Sequence, residues 1–146
     1  MYSSKSEQWE TPQWLFENLN DLFGFDLDVC ATPENAKCKS YYTREQDGLS
    51  KPWEGVVWCN PPYGRNIGNW VKKAYDENLR NNNYIVMLLP ARTDTRWFHE
   101  YIYGRGHVDV RFIRGRLKFS NSKNSAPFPS MVVIFNPRIG KYRKGG

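Results

Sequence analysis

Cysteine is scarce in this 146-residue chain. Cys30, Cys38 and Cys59 are few and odd in number, which excludes a disulfide framework, and their spacing matches no zinc-ligand pattern. Free thiols in a reducing cytoplasm are the expectation. Long apolar runs are lacking as well. The longest aliphatic stretch, Ile85 to Leu89, is far short of the roughly 20 residues of a membrane helix, and no early apolar run resembles a signal peptide. No membrane association is expected. The two histidines, His99 and His107, are isolated from each other, which points to surface or packing roles and away from a metal site. Internal repeats and low-complexity segments are missing too, and 146 residues is about the length of a single domain.

The most informative absence is of negative charge. After Asp109 there is no Asp or Glu, while nine of the 21 Lys and Arg residues lie from Arg111 onward. The other twelve share residues 1–109 with all fifteen acidic residues, a net charge of −3. A segment so polarised repels itself unless a polyanion is near, and a nucleic-acid backbone is the natural partner. Lys141, Arg143 and Lys144, beside two terminal glycines, read as a solvated tail over 137–146. Arg111, Arg114, Arg116 and Lys118 stand amid strand-like sequence instead. With 40% hydrophobic and 16% aromatic residues, the chain has ample apolar surface for a core, placed here in a single domain over 1–136.

Hydrophobic periodicity orders the elements. Thr11-Pro12 starts a helix that carries Leu15, Leu19, Leu22 and Phe23 at helical spacing and stops at Gly24. Phe25, Leu27 and Val29 alternate with Asp26 and Asp28, the period of a strand, so both carboxylates share one face. Tyr41 to Thr43 is a candidate short strand, and Val56 to Cys59 reads as a buried one. Asn66 caps a helix with Ile67, Trp70, Val71, Ala74, Tyr75 and Leu79 on its apolar stripe and Lys72, Lys73, Asp76 and Glu77 opposite. Tyr84 to Leu89 is apolar at successive positions, as in a strand buried on both faces. A helix starting near Thr93 or Asp94 buries Trp97, Phe98, Tyr101 and Ile102, and strands over Val108 to Ile113 and Ser130 to Phe135 complete the series. Alternating strands and helices predict an open, mostly parallel α/β sheet flanked by helices. Ligands of such sheets lie at the carboxyl ends of the strands.

At one such end stands Asn60-Pro61-Pro62-Tyr63. Successive prolines fix φ and remove two backbone donors, leaving a stiff corner whose carbonyls remain acceptors. The Asn60 side-chain oxygen and the Pro61 carbonyl can accept both hydrogens of a planar amino group, and Tyr63 offers a ring for a stacked base. An aryl amino nitrogen is a poor nucleophile because its lone pair is delocalised. Hydrogen bonds that draw its hydrogens out of plane favour the tetrahedral nitrogen of the attacking state without a strong general base. The competing reading is a proline-stiffened turn with Tyr63 in the core.

The chain resembles the phage-type DNA N-6-adenine methyltransferase family, whose catalytic motif is Asn-Pro-Pro-Tyr. The resemblance extends over roughly Trp9 to Phe135. It is carried by Trp9-Glu10-Thr11-Pro12, Phe25-Asp26-Leu27-Asp28-Val29-Cys30-Ala31, Asp47-Gly48-Leu49, Asn60 to Gly64, Leu88-Leu89-Pro90-Ala91-Arg92-Thr93-Asp94-Thr95, Gly115 to Phe119 and Ala126 to Ser130. It implies a Rossmann-like fold, S-adenosylmethionine as methyl donor and DNA as substrate. Asn60, Pro61, Pro62 and Tyr63 would hold a flipped adenine. Asp28 would face the methionine part of the donor with Asp26 as second choice, Asp47 would lie near its adenine, and Thr11 would line the same pocket. The Gly-x-Gly that many methyltransferases carry after the first strand is replaced by Cys30-Ala31-Thr32.

DNA contacts are assigned to Arg92, Arg114, Arg116 and Lys118, with Ser120 to Ser125 as a flexible loop beside them. Little chain is left for a separate target-recognition domain, so relaxed sequence specificity is expected. Alternatives from the same residues are a methyltransferase of protein glutamine or of RNA adenine, and a catalytically silent DNA-binding module. The expected location is the cytoplasm of a bacterial host or phage-infected cell. Nothing in the sequence bears on oligomeric state.

Overall fold

The computed structural model describes residues 8–138, so the expected basic tail lies, past Arg138, outside the described residues. In chain order the elements are α1 (Gln13–Phe23), β1 (Leu27–Asp28), β2 (Ser40–Tyr41), β3 (Val57–Cys59), α2 (Ile67–Asn81), β4 (Ile85–Pro90), α3 (Arg96–Tyr101), β5 (Val108–Phe112) and β6 (Ser130–Phe135). All six strands form one sheet in the order β2-β1-β3-β4-β6-β5.

The mostly parallel sheet that the sequence predicts is a mixed one. Strand β1 pairs in parallel with β2 and β3, and β3 with β4, whereas β6 is antiparallel to both β4 and β5. The chain leaves β5, returns through residues 113–129, and inserts β6 into the gap between β4 and β5. Periodicity did not reveal the reversal. Every residue of β6 is buried, and an interior strand covered on both faces shows the same unbroken apolar run whichever way it points.

Helix α1 buries Leu15, Phe16 and Leu19, and Phe16 meets Phe25 and Trp58 at ring distances of 5.5 Å. Gly24, at φ +68°, ends the helix in the left-handed region that glycine enters without penalty, and its N–H returns to Asn20 O. Leu22, expected on the apolar face, is exposed. In α2 the stripe of Ile67, Trp70, Val71 and Ala74 is buried as its spacing predicts, but Glu77 is buried with it. The cause is tertiary. The Trp53 backbone packs over the end of the helix, and its N–H donates to Glu77 Oε1 at 2.8 Å, while Lys73 and Arg80 neutralise the second oxygen. A buried N–H without an acceptor would cost about 1–3 kcal/mol.

The topology places the site. Strands β1, β3 and β4 run together, and β5 runs with them because both β4 and β5 oppose β6. Their carboxyl ends therefore share one edge of the sheet, with Asp28, Asn60, Arg92 and Arg114 at or just beyond them. From β1 the chain goes to β2 on one side and then to β3 on the other. Such a reversal of strand order opens a crevice at the carboxyl ends, here between Asp28 and Asn60.

Candidate active site

A cavity of about 420 Å³ occupies that crevice. Its lining includes Asp28 and Cys30 after β1, Asn60, Pro61 and Pro62 after β3, and Trp9 and Thr11 before α1, together with Lys37, Thr43 to Glu45 and Ser120. The volume is in the usual range for a small-molecule site.

Asn60 leaves β3 directly into the two buried prolines. Its Nδ2 donates to Trp9 O at 2.5 Å and to Thr11 Oγ1 at 2.9 Å, which uses both amide hydrogens. Its Oδ1 is buried and has no partner within the chain. The chain before α1 crosses this corner and is tied down by a distant segment. Ser120 N–H donates to Glu10 O at 2.9 Å and Ser120 Oγ to Thr11 O at 3.1 Å, while Asn121 accepts from Glu10 N–H and donates to Gln8 O. The stretch expected to be a flexible loop is thus anchored to a wall of the cavity at its first two residues.

Asp28 is 3% exposed. Backbone N–H groups of Cys30 and Lys37 donate to its two oxygens at 3.2 and 3.0 Å. Burial nevertheless dominates and pushes its carboxyl up to about 6, against the opposing pull of those hydrogen bonds and of the Lys37 charge. A carboxylate so placed is poised to receive a cationic group in the cavity.

Three expectations are corrected here. Asp26 does not share the cavity with Asp28: it is exposed, and its Oδ2 accepts from Val56 N–H at 2.9 Å, bracing the entrance to β3. Two residues along a strand span about 6.6 Å, which leaves Asp26 back from the carboxyl edge. Asp47 does not line the cavity either, although Thr43, Arg44 and Glu45 of the same turn do. Asp47 has φ +54°, and the next residue enters the core, where a Cβ on Gly48 would lie 2.2 Å from Val29 O. This close approach turns the chain away from the cavity, leaving Asp47 Oδ1 buried without a partner. Tyr63, finally, offers no open ring face. It is buried, its hydroxyl donates to Leu88 O at 2.8 Å, and its ring meets Phe119 and Phe128 edge-on at 6.2 and 5.7 Å. It holds the proline corner to β4 from behind, and the aromatic residue that lines the cavity is Trp9.

Arg92, Arg114, Arg116 and Lys118 are all exposed and outside the cavity. None is ion-paired among the described residues. Arg116 and Lys118 point outward because Leu117 and Phe119, between and after them, are buried. Cavity residues that sequence reasoning missed include Lys37, Arg44 and Glu45. They lie in turn-rich stretches with no periodicity or motif to single them out. Among the described residues, no acidic, thiol or imidazole cluster is grouped to hold a metal ion, and no helix is long and apolar enough to cross a membrane.

An α/β sheet with a carboxyl-edge crevice, lined both by a buried carboxylate and by an amide whose oxygen has no partner, defines a candidate small-molecule site. The chain belongs to the DNA N-6-adenine-methyltransferase (Dam) family, whose model matches residues 1–144. A DNA N-6-adenine-methyltransferase of Haemophilus phage HP1 (strain HP1c1) is 32% identical over 143 residues, covering 92% of this chain and 82% of that protein. Another of that name, from Escherichia phage T1, is 42% identical over 95 residues, covering 63% of this chain and 39% of the relative.

Proposed function

We propose that this chain transfers a methyl group from S-adenosylmethionine to the exocyclic amino nitrogen of adenine in DNA, on a Rossmann-like variant of the α/β fold. The observation that carries this reading is that Asp28 and Asn60, whose buried Oδ1 has no hydrogen-bond partner, line one cavity. The donor fits the chemistry of that cavity: a buried carboxylate suits its ammonium, and an orphaned acceptor suits an amino group presented beside its methyl. When bound, the donor supplies an electrophilic carbon on a cationic sulfur.

The residues of the chain do the rest. Asp28 holds the cationic end of the donor, and Thr11 lines the same space. Asn60 Oδ1 and the Pro61 carbonyl accept the two amino hydrogens and draw them out of the plane of the base. Pro61 and Pro62 keep those acceptors in place without backbone adjustment during the reaction. Tyr63 supports the corner from the core. An adenine stacked in a duplex cannot reach this cavity, so the base is extruded. Arg92 and Arg114, on the same edge, and Arg116 and Lys118, on the segment tied to the cavity wall, hold the DNA backbone.

The test is incubation with methyl-labelled S-adenosylmethionine and unmethylated DNA, followed by nucleoside analysis. Label in N-6-methyladenine of DNA is expected. Label confined to RNA or protein, or no transfer from a bound donor, refutes the reading and favours in turn the RNA, glutamine or silent-module alternative.

A further inference from the structure

We infer that Thr11 is a positioning residue for the methyl transfer, acting by holding the second hydrogen of the Asn60 side-chain amide and so steadying the orientation, set by the Trp9 carbonyl, that presents oxygen to the substrate. The inference rests on the functional reading above. A side-chain amide can turn by 180° and exchange its oxygen for its NH₂ at little cost unless neighbours choose between them. Here the choice is forced. The Trp9 carbonyl can only accept, so the amide group facing it at 2.5 Å is the NH₂. The second amide hydrogen goes to Thr11 Oγ1 at 2.9 Å. Thr11 is 3% exposed, so water does not readily replace its hydroxyl.

With both hydrogens spent, the amide has only Oδ1 to show, buried and without a partner. In the opposite orientation Oδ1 would face the Trp9 carbonyl, acceptor against acceptor, and the NH₂ would confront an incoming amino group, donor against donor. That state offers the amino group no acceptor and cannot draw its hydrogens out of plane. Thr11 is itself held by the Ser120 Oγ bond to its carbonyl, which fixes the hydroxyl relative to the corner.

The experiment compares Thr11→Val, which keeps the shape and removes the acceptor, with Thr11→Ser, which restores it. Steady-state kinetics are read for donor and DNA separately. Thr11→Val is expected to lower kcat about tenfold with both KM values nearly unchanged, and Thr11→Ser to return kcat to within about threefold of the unaltered chain. The Asn60 Nδ2 proton pair is recorded by ¹⁵N NMR without donor or DNA, and assigned by its loss in Asn60→Ala. Exchange of one proton with solvent should rise about tenfold in Thr11→Val and recover in Thr11→Ser. If Thr11→Val does not fold, Thr11→Ala takes its place in both measurements. A rise in donor KM with kcat unchanged, an equal loss in Val and Ser variants, or unaltered proton exchange overturns the inference. Failure of the unaltered chain to methylate DNA would sink the functional reading instead, and the substrate-free resonance would still decide the orientation.

Discussion

Acidification is the perturbation that tests Asp28. Its carboxyl is pushed up from 3.8 to about 6, chiefly by burial, a difference worth about 3 kcal/mol at 1.36 kcal/mol per pH unit. The folded chain thus binds this proton more tightly than the unfolded one, and the contribution to stability runs opposite to that of an ordinary paired carboxylate. It is most favourable below about pH 4 and is lost as pH rises to about 6, because the unfolded chain releases the proton first. A cationic ligand group offsets that cost by pairing with the ionised form. At pH 5 only about one tenth of Asp28 is ionised and at pH 7 about nine tenths, so affinity for S-adenosylmethionine should rise about tenfold between them. Titration calorimetry at half-unit intervals measures this, and Asp28→Asn should both weaken binding and flatten the profile. A slope that persists in Asp28→Asn, or a flat profile in the unaltered chain, would refute the placement of Asp28 against the donor's cationic end.

Three further outcomes follow from the geometry. Asn60→Ala should lower methyl transfer by about a hundredfold or more, since on the proposed reading it removes an acceptor for the reacting amino group, while calorimetric donor affinity stays nearly intact; parallel loss of both would indicate collapse of the fold. Combined substitution of Arg114, Arg116 and Lys118 by Ala should reduce the slope of log affinity for DNA against log salt by about 0.9 per lost phosphate contact, or about 2.7 in all, as read by fluorescence anisotropy. Glu77→Ala should cost about 2–3 kcal/mol in urea unfolding, because Trp53 N–H loses its buried acceptor; a change under 0.5 kcal/mol would show that the contact is dispensable.

Much of the fold was legible as local pattern. The spans of α1, α2, β4 and β6 follow from apolar spacing and from Gly24 and Asn66 at helix ends, because helix and strand periods are written into consecutive residues. The proline corner was legible too, since ring closure fixes its backbone wherever it stands. What stayed hidden depended on partners far along the chain. The Glu77 side chain is inside because of Trp53, and β6 is reversed because the connection over 113–129 brings the chain back at the edge of the sheet where β5 ends. Neither fact leaves a mark on its own segment.

The candidate site divides the same way. By itself the sequence singled out the candidate residues: a carboxylate at the end of β1, an amide and two prolines at the end of β3, and a cationic stretch without acidic neighbours. Only the tertiary structure decided that Asp28 faces the cavity while Asp26 does not, that Tyr63 is turned into the core, and that Trp9 and Thr11 close on the Asn60 amide from 49 to 51 residues away. The physical reason is that side-chain identity sets what a group can donate or accept, whereas burial and hydrogen-bond partners are set by which distant segments converge on it.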